Sequence, residues 1–197
     1  MTTKLLIAYS LQGLMLGWLL QQLFKNRWAW PCGLLLAALP LAGMPLAGHL
    51  RGFFGDPSIT SIQLLVLALL GRSPKSLAQD WRAPLLIGLG GVLFYTLALG
   101  GAIKLGMADP YRLGYQPGIL FGALTTLALF LWWRGQALWL WLLSIDLLAF
   151  AQAFELSQNL WDSLLDPQLV FVCLILAYRN RGHQTTANYA PADSTSN

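Results

Sequence analysis

Trp139-Leu140-Trp141-Leu142-Leu143-Ser144-Ile145-Asp146-Leu147-Leu148 is a stretch of hydrocarbon and indole interrupted by one carboxyl group. The apolar run around it extends from about Ala137 to Phe154, close to the roughly 20 residues that a helix needs to cross a bilayer core at about 1.5 Å per residue. Asp146 then lies about 13 Å into the run, near mid-depth. A carboxylate there costs on the order of 3 kcal/mol even on the mildest scale, so it needs a partner or a task. One reading makes Asp146 a proton or cation relay or a substrate contact. The other makes it a protonated acid bonded to a Ser, Thr or Tyr on a neighbouring helix, such as Tyr95 or Thr125.

The rest of the 197-residue chain follows the same pattern. Hydrophobic residues make up 56% and charged residues 10%, against about 25% charged in a soluble domain. Mean hydropathy is +0.57. These values exclude a water-soluble globule, a disordered chain and a fibrous repeat. They leave an all-α fold: a polytopic integral membrane helical bundle of about seven transmembrane segments, or six plus one re-entrant. The candidate segments are Leu5–Phe24, Trp28–Leu50, Pro57–Leu70, Ala83–Ile103, Gln116–Trp133, Ala137–Phe154 and Pro167–Tyr178. Residues 1–178 read as one transmembrane domain. Residues 179–197, rich in Thr, Ala, Ser and Asn, read as a disordered cytoplasmic tail. Pro57–Leu70 and Pro167–Tyr178 are short, about 21 and 18 Å as helices, so Asp56 and Asp166 are expected below the outer surface, covered by protein or lining a wet cleft.

Basic residues set the orientation. With the N-terminus outside, Lys25, Arg27, Arg72, Lys75, Arg82, Arg134, Arg179 and Arg181 fall on the cytoplasmic side, and Lys4, Arg51, Lys104 and Arg112 outside. Asp56, Asp109, Glu155, Asp162 and Asp166 then gather on the outer side. With no cleavable signal evident, short loops fit a bacterial inner membrane, N-terminus outside and C-terminus cytoplasmic. The net charge of +4 comes from residues flanking apolar runs, so it marks topology and argues against a nucleic-acid partner. Cys32 and Cys173 are far apart and form no Cys/His cluster, so no structural metal site is expected.

Polar chemistry is concentrated in two outer connections. Gly48-His49-Leu50-Arg51-Gly52-Phe53-Phe54-Gly55-Asp56-Pro57-Ser58-Ile59-Thr60-Ser61 combines an imidazole, a guanidinium, a carboxylate and hydroxyls. It reads as a headgroup- or phosphate-binding loop, with Arg51, Asp56 and Ser58 on substrate, or as an interfacial turn with Asp56 as helix cap. Glu155-Leu156-Ser157-Gln158-Asn159-Leu160-Trp161-Asp162-Ser163-Leu164-Leu165-Asp166-Pro167 clusters three carboxylates and an amide. Paired carboxylates perform acid/base work when burial raises one pKa, or they hold a hard cation. The plain alternative is a solvated loop anchored by Trp161. Asp-Pro at 56–57 and 166–167 is also a helix-start signal.

Three functions follow as expectations. The first is an accessory or assembly subunit of a larger membrane complex, with a polar acidic site recessed on the outer face. The second is a membrane enzyme acting on a lipid-linked or phospholipid headgroup substrate. Glu155, Asp162, Asp166 and His49 would be its catalytic groups, and Arg51, Asp56, Ser58, Arg112, Asn159 and Asp146 its substrate contacts. The third is a small proton- or cation-coupled transporter using Asp146. The partners implied are the lipid bilayer, lipid headgroups and a larger membrane complex; no cofactor is identified.

Overall fold

Helices make up most of a computed structural model of the chain, which describes residues 3–72, 81–102, 110–115, 117–152 and 157–188. Among the described residues the fold is all-α apart from one two-stranded hairpin. α1 (Thr3–Phe24) is followed by α2 (Ala29–Ala38). Pro40 and Pro45 stop helix growth, because each lacks an amide donor and biases its predecessor to extended backbone. The chain turns there through β1 (Pro40–Leu41) and β2 (Met44–Pro45), paired Pro40 to Pro45 and Leu41 to Met44. Positive φ at Ala42 (45°) and Gly43 (89°) closes this two-residue hairpin, as a primed turn requires. α3 (Leu46–Phe54), α4 (Ile59–Leu69) and α5 (Arg82–Ala102) come next. A 3₁₀ turn at Pro110–Gly114 leads into α6 (Pro117–Trp133) and α7 (Ala137–Ala151). α8 (Leu160–Leu164) and α9 (Pro167–Asn188) complete the described chain.

Contacts along the helices give their relative directions. Gln12 of α1 meets Gln168 near the start of α9, and Gln22 meets Arg179 further along, so α1 and α9 run parallel. α2 returns along α1: Gly17 faces Trp30, and Gly13 faces Ala37. A Cβ on Gly33 would run into the Gly17 backbone, so this contact requires glycine. α4 and α9 begin side by side at Ser58 and Asp166. α5 opposes α9, with Gly91 against Val170 and Gly88 against Leu174. α7 opposes α4, since Thr60 meets Asp146 and Gln63 reaches back to Leu142. Direction thus alternates through α1, α2, α4, α5, α6, α7 and α9. One core gathers Met15, Trp18, Leu64, Leu65, Leu142, Leu169, Val172 and Cys173 from α1, α4, α7 and α9. A second joins Leu120, Leu124, Leu143 and Leu160.

The apolar segments expected from sequence reappear as helices, but not as about seven full-length spans. Among the described residues, one stretch, Leu160–Arg181, is long and apolar enough to cross a membrane. Ala29–Ala38, Ile59–Leu69, Arg82–Ala98, Gly118–Trp133 and Ala137–Ala151 are apolar but shorter. The expected Trp28–Leu50 segment is broken by its prolines into α2, hairpin and α3. The last helix runs past Tyr178 to Asn188, so it takes in the first residues of the stretch expected to be a tail. Arg179 bonds to Gln22 and Arg181 lies over Trp81, and these contacts hold the extension. Residues 189–197 lie outside the described residues.

Candidate functional site

The first turns of α4 place four polar side chains on two faces of an otherwise apolar helix. Ser58 and Ser61 are three apart and share one face; Thr60 and Gln63 share the other. Ser58 is the N-cap, its Oγ accepting from Ser61 N at 3.1 Å. Its backbone N and Oγ donate to Asp166 Oδ2 at 2.9 and 2.7 Å. Ser61 Oγ donates to the same oxygen. Asp166 Oδ1 accepts from Leu169 N at 2.8 Å, the N3 amide of α9. One carboxylate, 3% exposed, therefore caps its own helix and ties the start of α4 to it.

The other face of α4 binds α7. Thr60 Oγ1 donates to Asp146 Oδ2 at 2.7 Å, and Gln63 Nε2 donates to Asp146 Oδ1 at 2.6 Å. Gln63 Nε2 also reaches Leu142 O at 3.2 Å. Asp146 is 2% exposed. Turning the Gln63 amide toward the carboxylate leaves Gln63 Oε1 without a donor; among the described residues no other buried side-chain nitrogen or oxygen lacks a partner. The sequence expectation of a Ser, Thr or Tyr partner on a neighbouring helix is met by Thr60; the two examples named there, Tyr95 and Thr125, are not the partners. Tyr95 OH donates to Leu165 O at 3.2 Å, and Thr125 is exposed.

The remaining acids go elsewhere. Asp56 does not cap α4; it pairs with Arg51, whose Nε and NH2 reach Oδ1 and Oδ2 at 2.7 and 2.9 Å. Both side chains are partly exposed, and the bond and charge of Asp56 raise the Arg51 pKa. Asp162 accepts from Tyr111 OH at 3.0 Å and from Ser157 Oγ. Burial, then the Asp162 charge, pushes the Tyr111 phenol above its ordinary value. Asn159, expected to contact substrate, is fully enclosed: it caps α8 by accepting from Trp161 N and donates to Tyr111 O. Ser58 is likewise 0% exposed. His49 contacts Leu41 O on the hairpin at 2.9 Å, not a carboxylate. Arg112 is exposed at the 3₁₀ turn. Glu155 lies outside the described residues.

The structure thus brings Asp166 together with Ser58, and Arg51 with Asp56; among the described residues Asp56, Asp146, Asp162 and Asp166 each bond to a different set of partners. Among the described residues, no cluster of three or more His, Cys, Asp or Glu side chains could hold a metal. Three amide side chains escaped the sequence reading. Gln63 holds Asp146. Gln12, buried in α1, donates to Gly55 O at 2.8 Å and accepts from Gln168 Nε2 at 2.7 Å. Their signal was present, since a polar amide inside an apolar helix needs a partner for the same reason an acid does. The Gln12–Gln168 pair closes one end of an apolar groove of about 110 Å³ lined also by Met15, Leu50, Phe54 and Phe171. The chain matches no family model, no curated protein and no solved structure.

Proposed function

We propose that this chain is a small polytopic protein of the bacterial inner membrane, N-terminus outside, that serves as an accessory or assembly subunit of a larger membrane complex. The observation that carries the reading is the engagement of Asp146 and Asp166 by α4. Among the described residues these are the two buried acids, and both are occupied in holding helices together. Large apolar side chains meanwhile cover the outer helix faces: Leu35, Leu86, Ile119, Trp132, Trp133 and Trp141 are all exposed. Such a surface suits lipid or a membrane partner. On α6, Gly118 and Gly122 have nothing within 4 Å of where a Cβ would stand, and small residues at this spacing let a second helix approach closely. Orientation is supported by Lys25, Arg27, Arg72, Arg82, Arg134, Arg179 and Arg181 at one end of the bundle, with Arg51 and Arg112 at the other. The test is purification from native membranes in mild detergent, comparing wild type with Gly122→Leu. The reading expects a stoichiometric partner that the variant loses while keeping its melting temperature. Purification of both as partner-free chains contradicts it.

A second reading, a small proton- or cation-coupled transporter, is favoured by the unpartnered Gln63 Oε1 beside Asp146. It expects Asp146→Asn to abolish flux in proteoliposomes while the fold persists; flux unchanged by that substitution rules it out.

A further inference from the structure

α6 and α7 are joined by a turn that limits both helices. Gly135, at φ 64°, ends α6, and Gln136 starts α7. At the far ends Pro117 opens α6, where a residue without an amide donor suits the first turn, and Gln152 closes α7. α6 therefore has 17 residues and α7 has 15, about 25 and 22 Å of helix. A bilayer core is about 30 Å thick. α1 with 22 residues and α5 with 21 reach about 33 and 31 Å, so the height of the bundle is uneven. The short pair is apolar on its outside. Ile119, Phe130 and Trp133 follow one face of α6 at helical spacing, and Trp141, Ile145 and Leu148 one face of α7; all are exposed. Leu120, Leu124 and Leu143 are instead buried in the core that the two helices share. Exposed polar residues bracket the apolar face: Tyr115 and Gln152 at one end, Arg134 and Gln136 at the other. Backbone groups left over at the helix ends need water as well.

We propose that the α6–α7 face holds a local thinning of the bilayer, by about 5–8 Å, and takes phospholipids with short acyl chains against it. The inference rests on the membrane reading above. Chains of ordinary length would compress at this face or strand its polar ends in hydrocarbon, each at a cost that grows with the mismatch. Short chains match the face without either. Tilting the helices does not remove the deficit, because it lowers their height further.

The test reconstitutes the full-length chain in phosphatidylcholine vesicles with paired myristoleoyl, oleoyl or erucoyl chains, in order of rising thickness, and reads thermal unfolding. The melting temperature should be highest with myristoleoyl chains and lower with erucoyl chains by roughly 5 °C or more. Gln136→Leu combined with Gln152→Leu adds about 3 Å to the apolar length of α7 and should move the maximum to oleoyl chains. The Gln136 side chain makes no capping bond that this would remove. Gln152→Leu alone should narrow the gap between myristoleoyl and oleoyl, which covers a double variant that misfolds. Ala123→Leu, at an exposed position within α6, adds hydrocarbon without length and should leave the maximum in place. A wild-type maximum in oleoyl or erucoyl vesicles overturns the proposal. So does an unmoved maximum in the lengthened variants, which would place the preference elsewhere in the bundle, or an equal shift by Ala123→Leu, which would make it one of hydrophobicity alone. Self-association that rises with thickness at a constant melting temperature also overturns it, because clustering would then relieve the mismatch. The membrane reading fails separately, if alkaline carbonate strips the chain from all three vesicles.

Discussion

Asp166 takes four hydrogen bonds, three on one oxygen, and each donor is buried with it. Removing the charge leaves serine hydroxyls and two backbone amides with a weaker acceptor. We expect Asp166→Asn to cost about 2–4 kcal/mol, the range for breaking a buried charge-assisted network, measurable by thermal unfolding in detergent. Asp146→Asn should cost less, about 1 kcal/mol, because an amide oxygen still accepts from Thr60 or Gln63 and interhelical bonds in membranes are individually modest. Equal losses would contradict the distinct roles assigned here. Tyr111 gives a pH test. Its phenol titrates above the ordinary value, through burial first and Asp162 second, so the folded protein keeps a proton that the unfolded chain releases. Its stabilising contribution is complete below about pH 10 and is lost as pH rises beyond that. Ultraviolet titration should show Asp162→Asn moving this ionisation back toward the ordinary value; no movement would remove Asp162 as a cause.

Helix limits were largely legible in the sequence. Pro57–Leu70 became Ile59–Leu69 and Gln116–Trp133 became Pro117–Trp133, because prolines and glycines punctuate the chain there. Asp146 stood out as an acid in an apolar run, but its partners did not, since nothing local says that α7 lies against α4 rather than beside Tyr95 or Thr125. The cap at Asp166 was readable from Asp-Pro. The same dipeptide misled at Asp56, where Arg51 on the preceding helix captures the carboxylate and Ser58 takes the cap. Glycine contacts test the element scale. Gly33→Ala on α2 forces a methyl into the α1 backbone and should cost about 3 kcal/mol or more. Gly90→Ala on α5, with nothing within 4 Å, should be neutral or stabilise by up to about 1 kcal/mol through helix propensity. Thermal unfolding of the pair reads this contrast, and a reversed order would mean that α2 does not pack on α1 as described.

Across the molecule, helices of alternating direction place Asp56, Asp162 and Asp166 toward one end, and Arg72, Arg82, Arg134, Arg179 and Arg181 at the other. α4 stands between α7 and α9, held by one carboxylate on each side. On the proposed membrane reading, lipid gives no hydrophobic gain from helix association, so such polar ties and close glycine contacts would set which helix faces meet. The proposed function requires that this polarised bundle span a membrane with its acidic end outside. Single cysteines at Leu113 and at Gln136, both exposed and at opposite ends, placed in a chain with Cys32 and Cys173 replaced by serine or alanine, test it with a membrane-impermeant maleimide on intact cells. Leu113→Cys should be labelled in intact cells and Gln136→Cys only after permeabilisation. Labelling of Gln136→Cys alone in intact cells, or equal labelling of both, would contradict it.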